Sequence, residues 1–337
     1  MPYHFPMKEI AFQAGLSLAT VDRVLNARPG VRATTKARVQ AAIEELERQY
    51  GASGLAGKRL SLDVVMEAPA RFAAAVRTAF EAELPALRPA NVTVRFHLSE
   101  RWDAGDLSRL LSLIRRRGSH GVILKAPAIP IVSDAAHRLG EAGIPVATFV
   151  TDQPSDARLA YIGIDNRTAG ATAAGLMVPM LAGRDCDVLI TLSSADFAGE
   201  EDRAKGFEIE LASHSPTIQV IRAAEGMGLD RSTRRIVDAT LAAHPDIGAV
   251  YSVGGGNRAV LQAFREAKRT LHVFAAHDLD RTNQALLAER QLTFVIDHDL
   301  RQDARTACQI MLHHHRMLPD DLTVRSSRFT VITPQSL

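Results

Sequence analysis

The stretch MKEIAFQAGLSLATVDRVLN, residues 7–26, decides how the first part of this chain folds. Ile10 and Ala14 place an apolar stripe on a helix that starts near Met7, Gly15 supplies a sharp turn, and Leu16, Val21 and Val24 form the inner face of a second helix. Ala11 is small where two helices cross closely, Gly15 reaches positive φ without a Cβ penalty, and Ser17 stands where a hydroxyl caps the second helix. This is helix-turn-helix spacing. The second helix turns Leu18, Ala19, Thr20, Asp22, Arg23 and Asn26 outward, and a third, beginning near Thr34–Thr35, carries Val39, Ala42, Ile43 and Leu46 inward. Three helices make a minimal core.

A surface hairpin of helices would show the same spacing, so charge has to separate the two readings. Residues 1–59 hold nine Lys and Arg against five Asp and Glu, a net of +4, whereas the rest of the chain holds 31 against 33. The positive charge is confined to the helical head, which suits a polyanionic partner there.

The run LSLATVDRVLNARPGVRATTKARVQAAIEEL resembles the DNA-binding head of the lactose-repressor (LacI/GalR) family, whose wording is GVS-x-x-TVSRVLN followed by V-x-x-x-T-x-x-V-x-x-A-I-x-x-L. The resemblance implies that Leu18, Ala19 and Arg23 face base edges, and that Ser17, Thr20, Asn26, Arg32 and Thr35 hold phosphates of double-stranded operator DNA. Phosphate contacts set register and base contacts specify. Arg23 is the side chain best able to read a guanine, and Ala19 offers only a methyl group to a thymine.

The chain departs from the family wording twice. Asp22 replaces the usual Ser with a carboxylate that DNA phosphates repel, so it is expected to orient Arg23 or another basic side chain. After Tyr50 the family's Y-x-P-N-x-x-A-x-x-L becomes YGASGLAGKRL, which lacks Pro-Asn and contains Gly51, Gly54 and Gly57. Each glycine costs about 1 kcal/mol against helix, so a stable hinge helix is not expected. Leu55 matches the family's minor-groove wedge leucine. We read residues 1–50 as the helix-turn-helix domain, 51–59 as a short Gly-containing hinge linker and 60–337 as a ligand-binding and dimerisation domain.

Apolar content of 46% and charge of 23% are those of an ordinary soluble protein. No apolar run reaches the roughly 18 residues of a bilayer span, and MPYHFPMKEI has no signal-peptide core, so a cytoplasmic location and no membrane partner are expected. Cys186 and Cys308 stand apart without metal spacing and read as buried small residues.

From Leu60 the pattern alternates. Short β-branched runs at 62–66, 92–96, 121–125, 145–150, 187–192, 217–223, 249–253, 271–276 and 294–297 are separated by stretches with helical periodicity. Continuous apolar strands indicate buried parallel sheets covered by helices on both faces. The expected fold is therefore an all-α head followed by an α/β domain. Residues 60–333 further resemble a two-lobed, periplasmic-binding-protein-like (type I) core, with IGIDNRTAG (162–170), EDRAKGF (201–207), AAHDLD (275–280) and FVIDHD (294–299) as markers. That resemblance implies that Arg203 and Asp278 grip ligand hydroxyls.

The chemistry of a polyol makes the same demand: one fixed bidentate donor, one carboxylate acceptor, and an aromatic face over the C–H side of the ring. Arg203 and Asp278 supply the pair. Further candidates are Phe72 and Phe197 for stacking, and Asp152, Lys125, Asn257 and His298 at strand ends. Asp152 and Lys125 fit a surface loop equally well, and Phe72 fits a core. The run GGGNR (254–258) replaces the family's Asn-Asp pair and puts bare backbone amides near the cleft, which would suit a larger ligand or one with an acidic group.

Other constellations carry less. His313–His315 are consecutive and cannot converge on one metal from a helix. No Gly-x-Ser-x-Gly elbow is present, and the glycine run lacks phosphate-loop spacing. We therefore expect no metal, cofactor or catalytic residue. The sequence points to a transcriptional regulator, a repressor that binds a palindromic operator as a homodimer under control of a sugar, polyol, sugar acid or sugar phosphate effector. The competing class is a cytoplasmic α/β sugar-processing enzyme with a helical DNA-binding head.

Overall fold

Gly15 turns the chain as its sequence requires. The computed structural model describes residues 5–55, 59–88, 90–318 and 327–337, with backbone alone for residues 47–55 and 155. Helix α1 (Met7–Ala14) ends at Gly15, whose φ of 59° lies in the left-handed region and whose missing Cβ would stand 2.9 Å from Arg38. Ser17 caps α2 (Leu18–Leu25) by accepting from the Thr20 amide at 3.2 Å. With α3 (Ala33–Leu55), these helices enclose Phe5, Ile10, Ala11, Ala14, Val21, Val39, Ala42 and Leu46, flanked by half-buried Leu16, Val24 and Ile43. The backbone of α3 runs on through Gly51 and Gly54, so the first part of the expected linker is helical despite its two glycines. Residues 56–58 and the side chain of Leu55 lie outside the described residues, and so does the wedge expectation.

The chain divides into two units, Met1–Leu60 with Leu87–Asn91 and Ser61–Ala86 with Val92–Leu337. The second unit contains two sheets. The first is formed by β1 (Arg59–Glu67), β2 (Asn91–Ser99), β3 (Gly121–Lys125), β4 (Val146–Phe149) and β5 (Ala160–Ile162), in the order β2-β1-β3-β4-β5. Strands β1, β3, β4 and β5 pair in parallel. One face packs Val65, Val122 and Leu124 against α5 (Ala104–Arg117) and α6 (Pro130–Glu141). On the other, Phe80 of α4 (Ala70–Glu83) meets Phe149 with ring centres 5.7 Å apart. Glu83 there accepts from Arg301 and Arg305 of α12 (Leu300–His314).

The second sheet holds β6 (Asp187–Thr191), β7 (Val220–Ala223), β8 (Ile247–Ser252), β9 (Val273–His277), β10 (Phe294–His298) and β11 (Phe329–Ile332), in the order β11-β10-β9-β8-β6-β7. Only β11 is antiparallel to its neighbour. Period-two alternation sorts its side chains between two cores. Val188, Ile190, Ala249, Tyr251, Ala275 and Ile296 face α7 (Asn166–Leu181) and α8 (Ala198–His214). Leu189, Val250, Phe274 and Val295 face α9 (Asp230–Ala243), α10 (Asn257–Glu266) and α11 (Arg281–Ala288).

The chain passes between the two sheets after β5, after β10 and again before β11. Two of these passages touch where Ser327 donates its amide to the Gly163 carbonyl at 3.1 Å. This is the two-lobed α/β arrangement expected from the sequence, with the carboxyl ends of the strands of both sheets turned toward one cleft.

Helices α7 and α8 cross at bare backbone. A Cβ on Gly170 would sit 1.9 Å from the Arg203 carbonyl oxygen, and one on Gly206 would sit 2.0 Å from that of Arg167. Exposed Gly175 on the same helix has nothing nearer than Glu210, at 3.9 Å. Gly170→Ala should therefore destabilise the protein by about 1–3 kcal/mol through overpacking, and Gly175→Ala should stabilise it by about 0.5–1 kcal/mol. Urea midpoints of the two variants, moving in opposite directions, check both.

Candidate functional site

The head presents α2 as an exposed surface. Ser17, Leu18, Ala19, Arg23, Asn26 and Arg32 are exposed, while Thr20 and Thr35 are half-buried. Asp22 has the role its charge suggested, with Arg28 as the basic side chain it holds. Its carboxylate accepts from the Asn26 amide at 2.7 Å and pairs with Arg28 at 3.1 Å, which leaves Arg23 out of the pair. One of the expected phosphate-binding groups, Asn26, is thus held in place by the residue that departs from the family wording.

A cleft opens in the second unit, between strand ends of its two sheets. Its walls are strand ends and the first turns of helices. Glu67 and Lys125 come from the ends of β1 and β3, Ser193 follows β6, Val253–Gly255 follow β8, and His277–Asp278 stand at the end of β9. Arg71 and Phe72 open α4, while Phe197, Glu200 and Arg203 come from the start of α8.

Five of the eight residues expected to hold a ligand line this cleft: Phe72, Lys125, Phe197, Arg203 and Asp278. Arg203 is buried, and its Nε donates to Asn166 Oδ1 at 2.7 Å. Its terminal guanidinium nitrogens make no hydrogen bond among the described residues. Lys125 is buried with Nζ 2.9 Å from the Glu67 carbonyl oxygen and 4.2 Å from the centre of the Phe197 ring. Burial lowers its pKa against the opposing pull of Glu200, Glu67 and Asp278.

Asp278 adopts φ of 64°, an uncommon conformation for a residue with a Cβ, in a turn braced by Asn283, whose Nδ2 donates to the His277 and Asp278 carbonyls at 2.9 and 2.8 Å. Burial alone would raise its pKa, but His298 and Arg203 hold it well below the ordinary carboxylate range.

The other three expected ligand residues do not line the cleft. Asp152 is taken by Arg158, whose Nε and Nη2 donate to its two oxygens at 2.6 and 2.8 Å, and by Thr148. Asn257 opens α10, buried, and donates to Asn283 Oδ1 at 2.6 Å. It therefore braces the turn that carries Asp278. His298 is buried beneath Asp278, 3.4 Å from its Oδ1, and its Nδ1 lies 2.7 Å from Asp303 of α12.

Sequence reasoning missed Glu67, Arg71, Glu200 and Asp280, all of which line the cleft beside His277. Glu200 fixes the loop after β6 by accepting the Ser193 amide at 2.7 Å. His277 places Nε2 2.6 Å from the Tyr251 hydroxyl, and burial keeps it neutral. The glycine run does reach the cleft, but its bare backbone is already in contact: Cβ atoms on Gly254 and Gly255 would stand 2.1 Å from the Ser193 amide nitrogen and from Arg71 Nη2, respectively. Among the described residues no group of three or more metal-ligating side chains gathers, and no helix is long and apolar enough to cross a membrane.

Burial would lower the pKa of His298, yet Asp278 and Asp303 push it up to about 9. A histidine whose pKa is raised on folding adds stability that is complete below its unfolded value and is lost as pH rises through the folded value. The melting temperature of wild type should therefore exceed that of His298→Gln most at pH 6. The gap should narrow steadily above pH about 6.5 and close beyond about 9. Melting curves of the two proteins across that range measure it.

Residues 64–316 match the periplasmic binding protein domain model, and residues 6–49 match that of bacterial regulatory proteins, lacI family. No curated protein matches the chain. Among solved structures, GanP, a glucose-galactose binding protein from Geobacillus stearothermophilus, is 19% identical at a TM-score of 0.73, covering 83% of this chain and 99% of its own. A solute binding protein of an ABC transporter from Agrobacterium vitis, solved with bound D-fucose, is 17% identical at 0.71, covering 82% and 96%. A sugar-binding protein of a sugar ABC transporter from Bacillus halodurans is 20% identical at 0.65, covering 82% and 98%. At these identities the three establish a shared fold. The chain belongs to the periplasmic-binding-protein domain family, carried here behind a DNA-binding head of the lacI family of bacterial regulatory proteins.

Proposed function

We propose that this protein is a ligand-responsive transcriptional regulator, a repressor that occupies a near-palindromic operator as a homodimer in the cytoplasm. The observation that carries the reading is one chain joining a capped, exposed second helix with Arg23 on its surface to a cleft lined by Arg203, Asp278 and Phe197. A two-fold dimer matches a two-fold DNA sequence. The effector is a sugar or sugar derivative: Arg203 offers paired donors, Asp278 a charged acceptor and Phe197 an apolar face, the three groups that a ring of hydroxyls requires. Binding proteins of the same fold named for glucose and galactose, or holding D-fucose, favour a monosaccharide-sized ligand. The effector acts on DNA binding to the extent that it prefers one conformation of the regulator over the other.

Two substitutions separate the halves of this reading. Arg23→Ala should weaken operator binding by about 1–3 kcal/mol and relax sequence preference, with ligand binding unchanged in a thermal-shift assay. Equal operator affinity would remove Arg23 from the recognition surface. Asp278→Asn should leave DNA binding intact while abolishing the rise in melting temperature that a binding sugar produces in wild type. A variant that still responds would take Asp278 out of the ligand site.

A further inference from the structure

Arg71, at the start of α4, reaches across the mouth of the cleft to the lobe of the second sheet. Its Nε lies 2.7 Å from Asp280 Oδ2, and its Nη1 donates to the Gly228 carbonyl at 3.0 Å. Its Nη2 rests against Gly255, where a Cβ would stand only 2.1 Å away. Gly228 and Gly255 hold φ of 64° and 89°, in the left-handed region open to glycine, and a Cβ on Gly228 would meet Pro69 at 2.9 Å. Asp280 is itself fixed as the N-cap of α11, accepting the Asn283 amide at 2.8 Å.

The guanidinium thus enters a socket with a carboxylate held in place, an aimed carbonyl and a bare backbone wall. Exposed ion pairs contribute little because two long side chains must be ordered in water. Here Asp280 is ordered already, and its side chain is only 10% exposed. The glycine run, which the sequence offered as a place for an acidic group of the ligand, has its Gly255 face taken by this cation.

We propose that Arg71 is an interlobe latch that seats between Gly228, Gly255 and Asp280, holds the cleft closed, and admits only ligands that fit behind it. The latch requires neither DNA nor an identified effector, so it stands or falls separately from the function proposed above.

The test is the lobe-to-lobe distance in the full chain. Spin labels go on Arg101→Cys and Arg231→Cys, exposed positions near opposite lips of the cleft, while Cys186 and Cys308 stay buried; labelled chains are diluted into unlabelled ones. With the latch intact, electron–electron resonance should give one short, narrow distance distribution. Arg71→Ala should shift most of the population to longer distances. Asp280→Asn, which keeps a capping side chain and removes the charge, should do the same, as should Gly255→Ala with the ion pair's residues untouched. Circular dichroism confirms folding, and if Arg71→Ala does not fold, Asp280→Asn and Gly255→Ala carry the test. Distributions that superimpose on wild type in Arg71→Ala and Asp280→Asn would overturn the proposal. A shift confined to Arg71→Ala would overturn it too, because the socket would then have no part in closure.

Discussion

The geometry of the cleft depends on one buried imidazolium shared by two carboxylates. His298 stands under Asp278 and against Asp303, a fully buried carboxylate on α12 that also accepts from the Ser327 hydroxyl. These residues come from β10, the turn after β9, α12 and the passage before β11, so the cluster ties the cleft-lining carboxylate of Asp278 to the places where the chain changes sheets. Removing the imidazolium charge would leave the Asp303 carboxylate buried without its cation, which is strongly destabilising. Asp278 can then hold a strained φ, because Asn283 and His298 fix it from two sides.

Arg203 is placed by an equally local device. Gly170 and Gly206 let α7 and α8 approach to backbone contact, and the carbonyl that Gly170 meets is that of Arg203 itself. Asn166, in the first turn of α7, then accepts from the Arg203 Nε. The motif IGIDNRTAG therefore serves the cleft without facing it: Asp165 caps the helix, Asn166 orients the guanidinium, and Gly170 sets the helix spacing.

Much of this fold was legible in the sequence because its signals are local. The Gly15 turn, the Ser17 cap and the nine β-branched runs each express a backbone or burial requirement within a few residues. What escaped was short or non-local. Strand β5 has three residues, β11 pairs only after a long detour, and α11 and α12 carry caps, Asp280 and Asp299, that went unread. The cleft divided in the same way. Arg203, His277 and Asp278 sit in motifs, whereas Glu67 and Arg71 are ordinary residues until the two sheets bring them to one cleft. A carboxylate after a strand, as Asp152 is, reads the same whether it faces a ligand or an arginine six residues on.

The most direct measurement is selection of bound sequences from random duplex DNA by the full chain, followed by titration of the selected duplex with and without a sugar that raises the melting temperature. The account predicts enrichment of a two-fold symmetric sequence and an affinity that changes when the sugar is present. No enrichment, or a selected duplex whose affinity is the same with and without the sugar, would contradict it.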